Sequence, residues 1–258
     1  MRRVNRRLRA AILLGALAVV AAAVAVFSAH SSSGARVAFG VLPLDHYACY
    51  SATFGNFEPR PVRLENQFGR ATARVARPIR ICAPARKNAE PIRNRIAHLA
   101  CYSLTGVQGP EQQVRMVTMT SQFGVLPAKV QVVPPESFCL PASKRLGTLT
   151  PPAAVPRSLD HFVCYKIDPS RAFQRRNVKV RDQFGSFTDA VLFPKTLCVP
   201  TRKNGSKLVL PRVHLVCYSV KSAARGRRAL LRDQFGVLRS APNVRSLLCV
   251  PSLKRLTL

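Results

Sequence analysis

The pattern of apolar positions divides the chain into one long apolar run and a series of short ones. Residues 10–29 carry no charge and would form a helix about 30 Å long. After them come short runs of β-branched and aromatic residues, broken by Gly, Pro, Asn and Ser, with no sustained period of 3.6 residues. The pattern predicts an all-β fold preceded by an N-terminal hydrophobic helix.

Five arginines within the first nine residues precede the apolar run and would hold its start on the cytoplasmic side of a membrane. Residues 1–29 are therefore predicted to be a signal peptide or a signal anchor, and residues 30–43 a linker. Signal-peptide cores are usually shorter, about 7 to 15 residues, and no clear small-x-small site follows the run. An uncleaved anchor in the membrane through residues 10–29 is favoured over cleavage and secretion. In both cases the rest of the chain is exported.

The short runs repeat four times in the same order. Each repeat opens with His-x-x-Cys-Tyr, continues to Gln-Phe-Gly and closes with Cys-x-Pro, and a lysine follows five residues after the closing cysteine. The repeated motif residues are His46, His98, His161 and His214; Tyr50, Tyr102, Tyr165 and Tyr218; and Gln67, Gln122, Gln183 and Gln234. The constant order indicates one structural unit that is used four times.

Repeats one and three resemble each other most, and repeats two and four share a second variant, so the chain is interpreted as a duplicated pair. The first pair covers residues 44–150 and the second 159–258, and the proline-rich linker 151–158 joins them. Each repeat is predicted to form about three strands. A sandwich or barrel-like arrangement of the four β-rich repeats is expected, with a propeller-like ring as the alternative.

All eight cysteines lie beyond the apolar run, and they are predicted to form four disulfides in an oxidising compartment. The simplest pairing joins the two cysteines of each repeat: Cys49 with Cys82, Cys101 with Cys139, Cys164 with Cys198, and Cys217 with Cys249. The rival pairing links adjacent repeats, Cys82 with Cys101, Cys139 with Cys164 and Cys198 with Cys217, and closes a ring through Cys49 and Cys249. The first is preferred because it makes each repeat self-contained, and strand geometry decides between them.

The His-x-x-Cys motif has the spacing of many zinc ligands, but residues three apart in a strand face opposite sides. His161 would share a face with Tyr165, whereas Cys164 would point the other way. A catalytic cysteine is also disfavoured, because both residue types recur in every repeat. No catalytic residue, metal or cofactor is therefore predicted, and a packed His–Tyr pair is expected in each repeat.

Acidic residues are scarce, with eleven in the chain. The residues before Gln-Phe-Gly in the four repeats are Asn66, Ser121, Asp182 and Asp233. Each of these can accept a hydrogen bond from a nearby backbone N–H, so a turn-capping role is predicted. Asp45 and Asp160 occur only in repeats one and three, where they either form a turn before a strand or belong to a site used once per half.

The formal net charge is +30, and the basic residues are spread along the chain. Such a surface attracts anionic envelope polymers, lipid headgroups or acidic proteins without choosing among them. Nucleic acid is a disfavoured partner, because the chain is predicted to be exported and has no Trp and no basic-aromatic stripe on which bases stack.

The segments HLVCY, RDQFG and LCVP, the last followed by a lysine, resemble an uncharacterised family of exported bacterial proteins in which these segments recur. The resemblance covers the chain from Leu44 to Leu258. It implies export and a β-rich repeat, and it brings no activity or site residue. Repeat two departs most, with Thr120-Ser121-Gln122 where repeat three has Arg181-Asp182-Gln183.

These observations predict an exported, non-enzymatic β-repeat protein that serves as a binding or structural module of the cell envelope. One alternative is an exported hydrolase with a site between the two halves, near Asp45 or Asp160. The other alternative is a nucleic-acid-binding protein. The oligomeric state is left open.

Overall fold

The computed structural model describes residues 42–109, 113–147 and 150–257, and all the regular secondary structure in these ranges is antiparallel β. The strands are β1 (His46–Phe54), β2 (Arg60–Asn66), β3 (Gly69–Lys87), β4 (His98–Gln108), β5 (Val114–Ser121), β6 (Gly124–Gln131), β7 (Ser137–Leu146), β8 (His161–Pro169), β9 (Arg176–Asp182), β10 (Gly185–Lys203), β11 (His214–Lys221), β12 (Ala229–Asp233) and β13 (Gly236–Leu256). The all-β prediction is confirmed. In these ranges no helix is long and apolar enough to cross a membrane, and the predicted segment 1–29 lies outside the described residues.

Each repeat contains an opening strand that begins at its motif histidine, then a hairpin, then a closing strand that contains Cys-x-Pro. In repeats one, three and four the second strand of the hairpin continues into the closing strand, which makes β3, β10 and β13 19 to 21 residues long. In repeat two the same path is divided between β6 and β7.

The opening and closing strands of the four repeats pair in a closed circle. β1 pairs with β3, β3 with β4, β4 with β7, β7 with β8, β8 with β10, β10 with β11, β11 with β13, and β13 with β1. Pairing between the predicted halves occurs twice in this circle, at β7–β8 and at β13–β1. The strands of both halves therefore belong to one sheet. The division of the chain into two halves at residues 151–158 stays a prediction.

Each opening cysteine is bonded to the closing cysteine of its own repeat, which is the pairing that the sequence favoured. The two cysteines face each other directly across neighbouring strands. The sulfurs of the rival pairs are in van der Waals contact, at 3.6 to 4.0 Å. The bonded sulfurs, at 2.02 to 2.06 Å, and the contacting sulfurs are both closer together than neighbouring strands, which lie roughly 4.8 Å apart. The circle of sulfurs is therefore narrower than the circle of strands and lies inside it.

The two faces of the circle bury different side chains. Phe162 and Cys164 belong to the inner cluster, which contains all eight cysteines. Val163 and Tyr165 belong to a larger outer cluster, to which the hairpins contribute Leu64, Phe68 and other apolar side chains. The opening strands are consequently buried on both faces, and the predicted separation of cysteine and tyrosine sides is confirmed.

The turns of the hairpins contain the Gln-Phe-Gly motif. The backbone N–H of the phenylalanine donates to the side chain two residues earlier, at 2.7 to 3.1 Å in the four copies: Phe68 to Asn66, Phe123 to Ser121, Phe184 to Asp182 and Phe235 to Asp233. The predicted capping role is thus observed. The following glycine begins the next strand with φ between 105° and 142°, which a side chain would strain.

The first strand of each hairpin also pairs with the end of a closing strand two repeats away. β2 pairs with β10, β9 with β3, β5 with β13, and β12 with β7. Every hairpin is therefore held by its own repeat and by a repeat on the opposite side of the circle.

Replacing both cysteines of repeat three, Cys164→Ala/Cys198→Ala, should lower the free energy of unfolding by about 4 kcal/mol, because the disulfide closes a loop across 34 residues. Urea denaturation measures the change. The matched variant Cys198→Ala/Cys217→Ala removes one cysteine from each of two disulfides. It should therefore lower the free energy of unfolding by more. If that variant were instead the more stable of the two, the cysteines would be paired between repeats.

Candidate functional site

The four motif tyrosines bind the turns of repeats two positions away. Each hydroxyl forms a hydrogen bond with the capping residue of that turn: Tyr50 with Asp182 (2.6 Å), Tyr102 with Asp233 (2.5 Å), Tyr165 with Asn66 (2.8 Å) and Tyr218 with Ser121 (3.3 Å). Each tyrosine ring also lies edge-on to the phenylalanine of the same turn, with centroids 4.9 to 5.6 Å apart. The tyrosines therefore fasten the hairpins to the circle.

The expectation of a packed His–Tyr pair in each repeat is wrong for the described residues. His46 and Tyr50 are four positions apart on one strand, and a strand rises by about 3.3 Å per residue, so the two rings are too distant to pack. The tyrosines contact phenylalanines, and three of the histidines contact glutamines.

Three motif histidines bind the glutamine of the next repeat's turn. His46 Nε2 donates to Gln122 Oε1 at 3.0 Å, and the amides of Gln183 and Gln234 donate to Nε2 of His98 and His161 at 2.5 and 2.7 Å. Burial lowers the pKa of His98 to about 3, and the charge of Lys144 acts in the same direction. The histidines are therefore neutral near pH 7. Among the described residues, no group of three His, Cys, Asp or Glu side chains is placed to hold a metal ion.

The lysine after each closing cysteine lies over the phenylalanine of the next repeat's turn. The distances from Nζ to the ring centroid are 5.6 Å for Lys87 and Phe123, 3.7 Å for Lys144 and Phe184, 5.2 Å for Lys203 and Phe235, and 4.6 Å for Lys254 and Phe68. We call the histidine and lysine of one repeat, with the glutamine and phenylalanine of the next, a junction; repeat one follows repeat four. Each junction combines a cation–π contact with polar groups.

Asp45 and Asp160 are buried, and each holds the loop that leads to the next repeat. Both carboxylate oxygens of Asp45 accept backbone N–H groups, from Arg93 and Asn94, at 2.7 and 2.8 Å. Asp160 does the same with Val209 and Leu210, at 2.7 Å each. Both oxygens of each carboxylate are bonded to backbone N–H groups, so Asp45 and Asp160 stabilise these loops.

The interior also contains an ion cluster that the sequence analysis missed. Arg245 is 1% exposed, and its guanidinium donates to Asp189 at 2.7 Å, to Asp182 at 3.1 Å and to the hydroxyl of Tyr50 at 2.8 Å. Burial alone would lower the pKa of Arg245, but Asp182, Tyr50 and Asp189 outweigh it and raise the pKa. The side chains of Arg245, Asp182 and Asp189 are inaccessible to solvent, so the cluster offers no free group to a substrate.

Single-copy departures from the repeat pattern could have revealed this cluster. Arg245 stands four residues before its closing cysteine, where the other repeats have proline: Pro78, Pro135 and Pro194. Asp189 stands four residues after its motif glycine, where the other repeats have small residues: Ala73, Ala128 and Ser240. Each member of this buried charge pair replaces a small or apolar residue in a single copy, Asp189 in repeat three and Arg245 in repeat four, so both are visible once the copies are aligned.

The surface near the third turn forms a groove with a volume of about 920 Å³ that is rich in arginine. Arg86 and Arg181 are direct partners on neighbouring strands, and Arg95 and Arg227 line the same groove. Like charges directly opposite each other in a sheet are destabilising. Asp182 also lines the groove, but its oxygens are bonded to Tyr50, Arg245 and the turn. We call this surface the arginine groove.

The family described as "Repeat of unknown function (DUF7450)" matches residues 98–251. The chain belongs to this family. The match begins at the opening histidine of repeat two and ends at the proline of the last Cys-x-Pro, so it covers three of the four repeats and more than half of the chain. It confirms membership of an uncharacterised repeat family. Comparisons with curated proteins and with solved structures found no significant match.

The variant Arg245→Met should lower the free energy of unfolding by about 3 to 5 kcal/mol, because Asp182 and Asp189 would stay buried without their cation. Chemical denaturation measures the loss. Adding Asp182→Asn and Asp189→Ala, the residues of repeat one at these positions, should recover most of it. A loss below about 1 kcal/mol, or no recovery, would contradict the assigned role.

Acid should destabilise the protein through its motif histidines. Their pKa values are lowered in the folded state, so the unfolded chain binds more protons below pH 6.5 and stability falls as the pH decreases from there. The limiting slope is about 1.4 kcal/mol per pH unit for each histidine. Urea denaturation at several pH values between about 7 and 5 measures it. His98→Gln should give a shallower slope, and an unchanged slope would refute the assignment.

Proposed function

We propose that the chain is an exported, non-enzymatic β-repeat protein of the cell envelope that binds anionic polymers or acidic partners through its outer surface. The observation that carries the proposal is the unequal placement of the charges. Five aspartates are buried: Asp45, Asp160, Asp182, Asp189 and Asp233. Most of the arginines on the hairpins are exposed. Burial of these aspartates leaves the described outer surface with few carboxylates, so positive charge predominates there.

The few acids nearer the surface are largely neutralised by neighbouring cations. Glu90 lies 2.8 Å from Lys87, and Glu136 lies within 3.8 Å of both Arg80 and Lys195. In the described ranges, the exposed acidic residues are Glu58 and Asp168. An anionic partner consequently meets a surface with few competing carboxylates.

The arginine groove is the surface best suited to a polymer with repeating anionic groups. Arginine can form two parallel hydrogen bonds with a carboxylate, phosphate or sulfate. An anion between Arg86 and Arg181 would relieve the repulsion of these two opposed side chains. The groove therefore supports a binding function that needs no catalytic group.

Export is supported by the four disulfides, which are typical of proteins that fold in an oxidising compartment. The uncleaved anchor at residues 10–29 and a bacterial cell envelope belong to the proposal. So does the barrel-like arrangement, which the circular strand pairing supports.

The alternatives have less support. A hydrolase at Asp45 or Asp160 would need a carboxylate oxygen available to a substrate, and those oxygens accept backbone N–H groups. Nucleic acid remains an alternative on charge alone, and the binding experiment below includes it as a competitor.

The full chain, in neutral detergent, should bind dextran sulfate, and the affinity should fall at least about tenfold between about 0.05 and 0.5 M NaCl, because exposed charges are screened. Biolayer interferometry with uncharged dextran as the reference measures the binding. Absence of binding at low salt would refute the proposal. Stronger binding to duplex DNA than to dextran sulfate would favour the nucleic-acid alternative.

The groove is tested with two charge-matched variants. Arg86→Gln/Arg181→Gln should weaken binding by about tenfold, whereas Arg60→Gln/Arg77→Gln, which removes two exposed arginines outside the groove, should weaken it less than about threefold. Equal losses would show that the surface binds without a preferred groove.

A further inference from the structure

The junction between repeats four and one leaves two buried polar atoms unpaired. Nε2 of His214 and Nζ of Lys254 are buried and have no hydrogen-bond partner among the described residues. The amide of Gln67, which lines the same pocket, donates weakly to the carbonyl of Pro211 at 3.5 Å. An unpaired buried polar group costs about 1 to 3 kcal/mol. A ligand that supplied hydrogen-bond partners to this junction would remove that cost.

In the junction between repeats three and four, the corresponding lysine and histidine atoms are both paired. Oε1 of Gln234 accepts from Lys203 at 2.7 Å, and its amide donates to His161 at 2.7 Å. The two junctions have identical residue types. They differ in the glutamine, which bonds to the lysine and the histidine in one junction and to a backbone carbonyl in the other.

The junction between repeats one and two shows which group these residues can bind. The carboxylate of Glu90 lies 2.8 Å from Nζ of Lys87, accepts a hydrogen bond from the amide of Gln122, and lies 3.7 Å from His46. Burial raises the pKa of Glu90, but the hydrogen bonds from Lys87 and Gln122 outweigh it, and the pKa is lowered. The histidine, lysine and glutamine of a junction thus stabilise an ionised carboxylate.

A surface pocket of about 1030 Å³ opens at the junction between repeats four and one. Its lining includes Gln67, His214 and Lys254, with the exposed arginines Arg212 and Arg255. None of its lining residues is acidic, and none belongs to the arginine groove. The pocket has the donors of the Glu90 junction and two additional cations, and none of the described residues that line it supplies a carboxylate.

We infer that this pocket binds a carboxylate group of an external ligand, held by Lys254 and Gln67 as Glu90 is held by Lys87 and Gln122. The exposed side chain of Gln67 turns its amide towards the ligand. Nδ1 of His214 donates to the carbonyl of Arg212 at 3.0 Å, so in the complex its neutral Nε2 accepts one hydrogen of the Gln67 amide while the other amide hydrogen is left for the ligand. Arg212 and Arg255 favour a ligand with a second carboxylate.

Isothermal titration calorimetry of the full chain with succinate, at about 0.5 M NaCl to screen the open surface, tests the inference. Saturable binding is expected, and Lys254→Met should weaken it at least about tenfold. The matched variant Lys203→Met alters a junction that its own glutamine completes, so it should leave succinate binding unchanged. Thermal unfolding of both variants verifies that they fold.

The ring signals of His214 in NMR spectra of the wild-type chain give a second readout that does not depend on a variant. They should shift with succinate and saturate with the same affinity as the calorimetry. Absence of saturable binding, absence of a His214 shift, or equal losses in the two lysine variants would overturn the inference. Equally tight binding of inorganic phosphate would overturn the assignment to a carboxylate.

Discussion

The structure depends on the packing of eight cysteine sulfurs inside a closed circle of strands. Each disulfide joins residues that face each other directly, so it fixes the register of that strand pair. Because side chains alternate along a strand, the tyrosine after each opening cysteine must face outward. There it meets a turn from the opposite side of the circle, and the hairpins are held in place.

Features that depend on spacing within one repeat could be predicted from the sequence. The strand character, the opposite faces of His161 and Cys164, the capping by Asn66 and the pairing of Cys164 with Cys198 are of this kind. The partners of the tyrosines could not be predicted, because they depend on which strands become neighbours two repeats away. The expected His–Tyr pair failed for a local reason, because the two residues stand four positions apart on one strand and their rings are too distant to pack.

The few acids of the chain serve the interior, and this placement connects the fold to the proposed function. Asp182 caps a turn, accepts from Tyr50 and pairs with Arg245, so one carboxylate joins three repeats. Asp45 and Asp160 each hold a loop through two backbone bonds. With these charges inside, the outer surface is left to arginine and lysine. Among the residues that the structure describes, Nζ of Lys254 has no hydrogen-bond partner, whereas Nζ of Lys87 is paired with Glu90.

The closure of the circle is tested most directly by the variant Cys82→Ala/Cys217→Ala. It leaves Cys49 and Cys249 without their own partners, 200 positions apart in the chain, and their sulfurs are 3.6 Å apart in the circle. After air oxidation, non-reducing peptide mapping by mass spectrometry should find a new disulfide between Cys49 and Cys249. If both cysteines remain free thiols in the folded variant, the circle is not closed between β13 and β1.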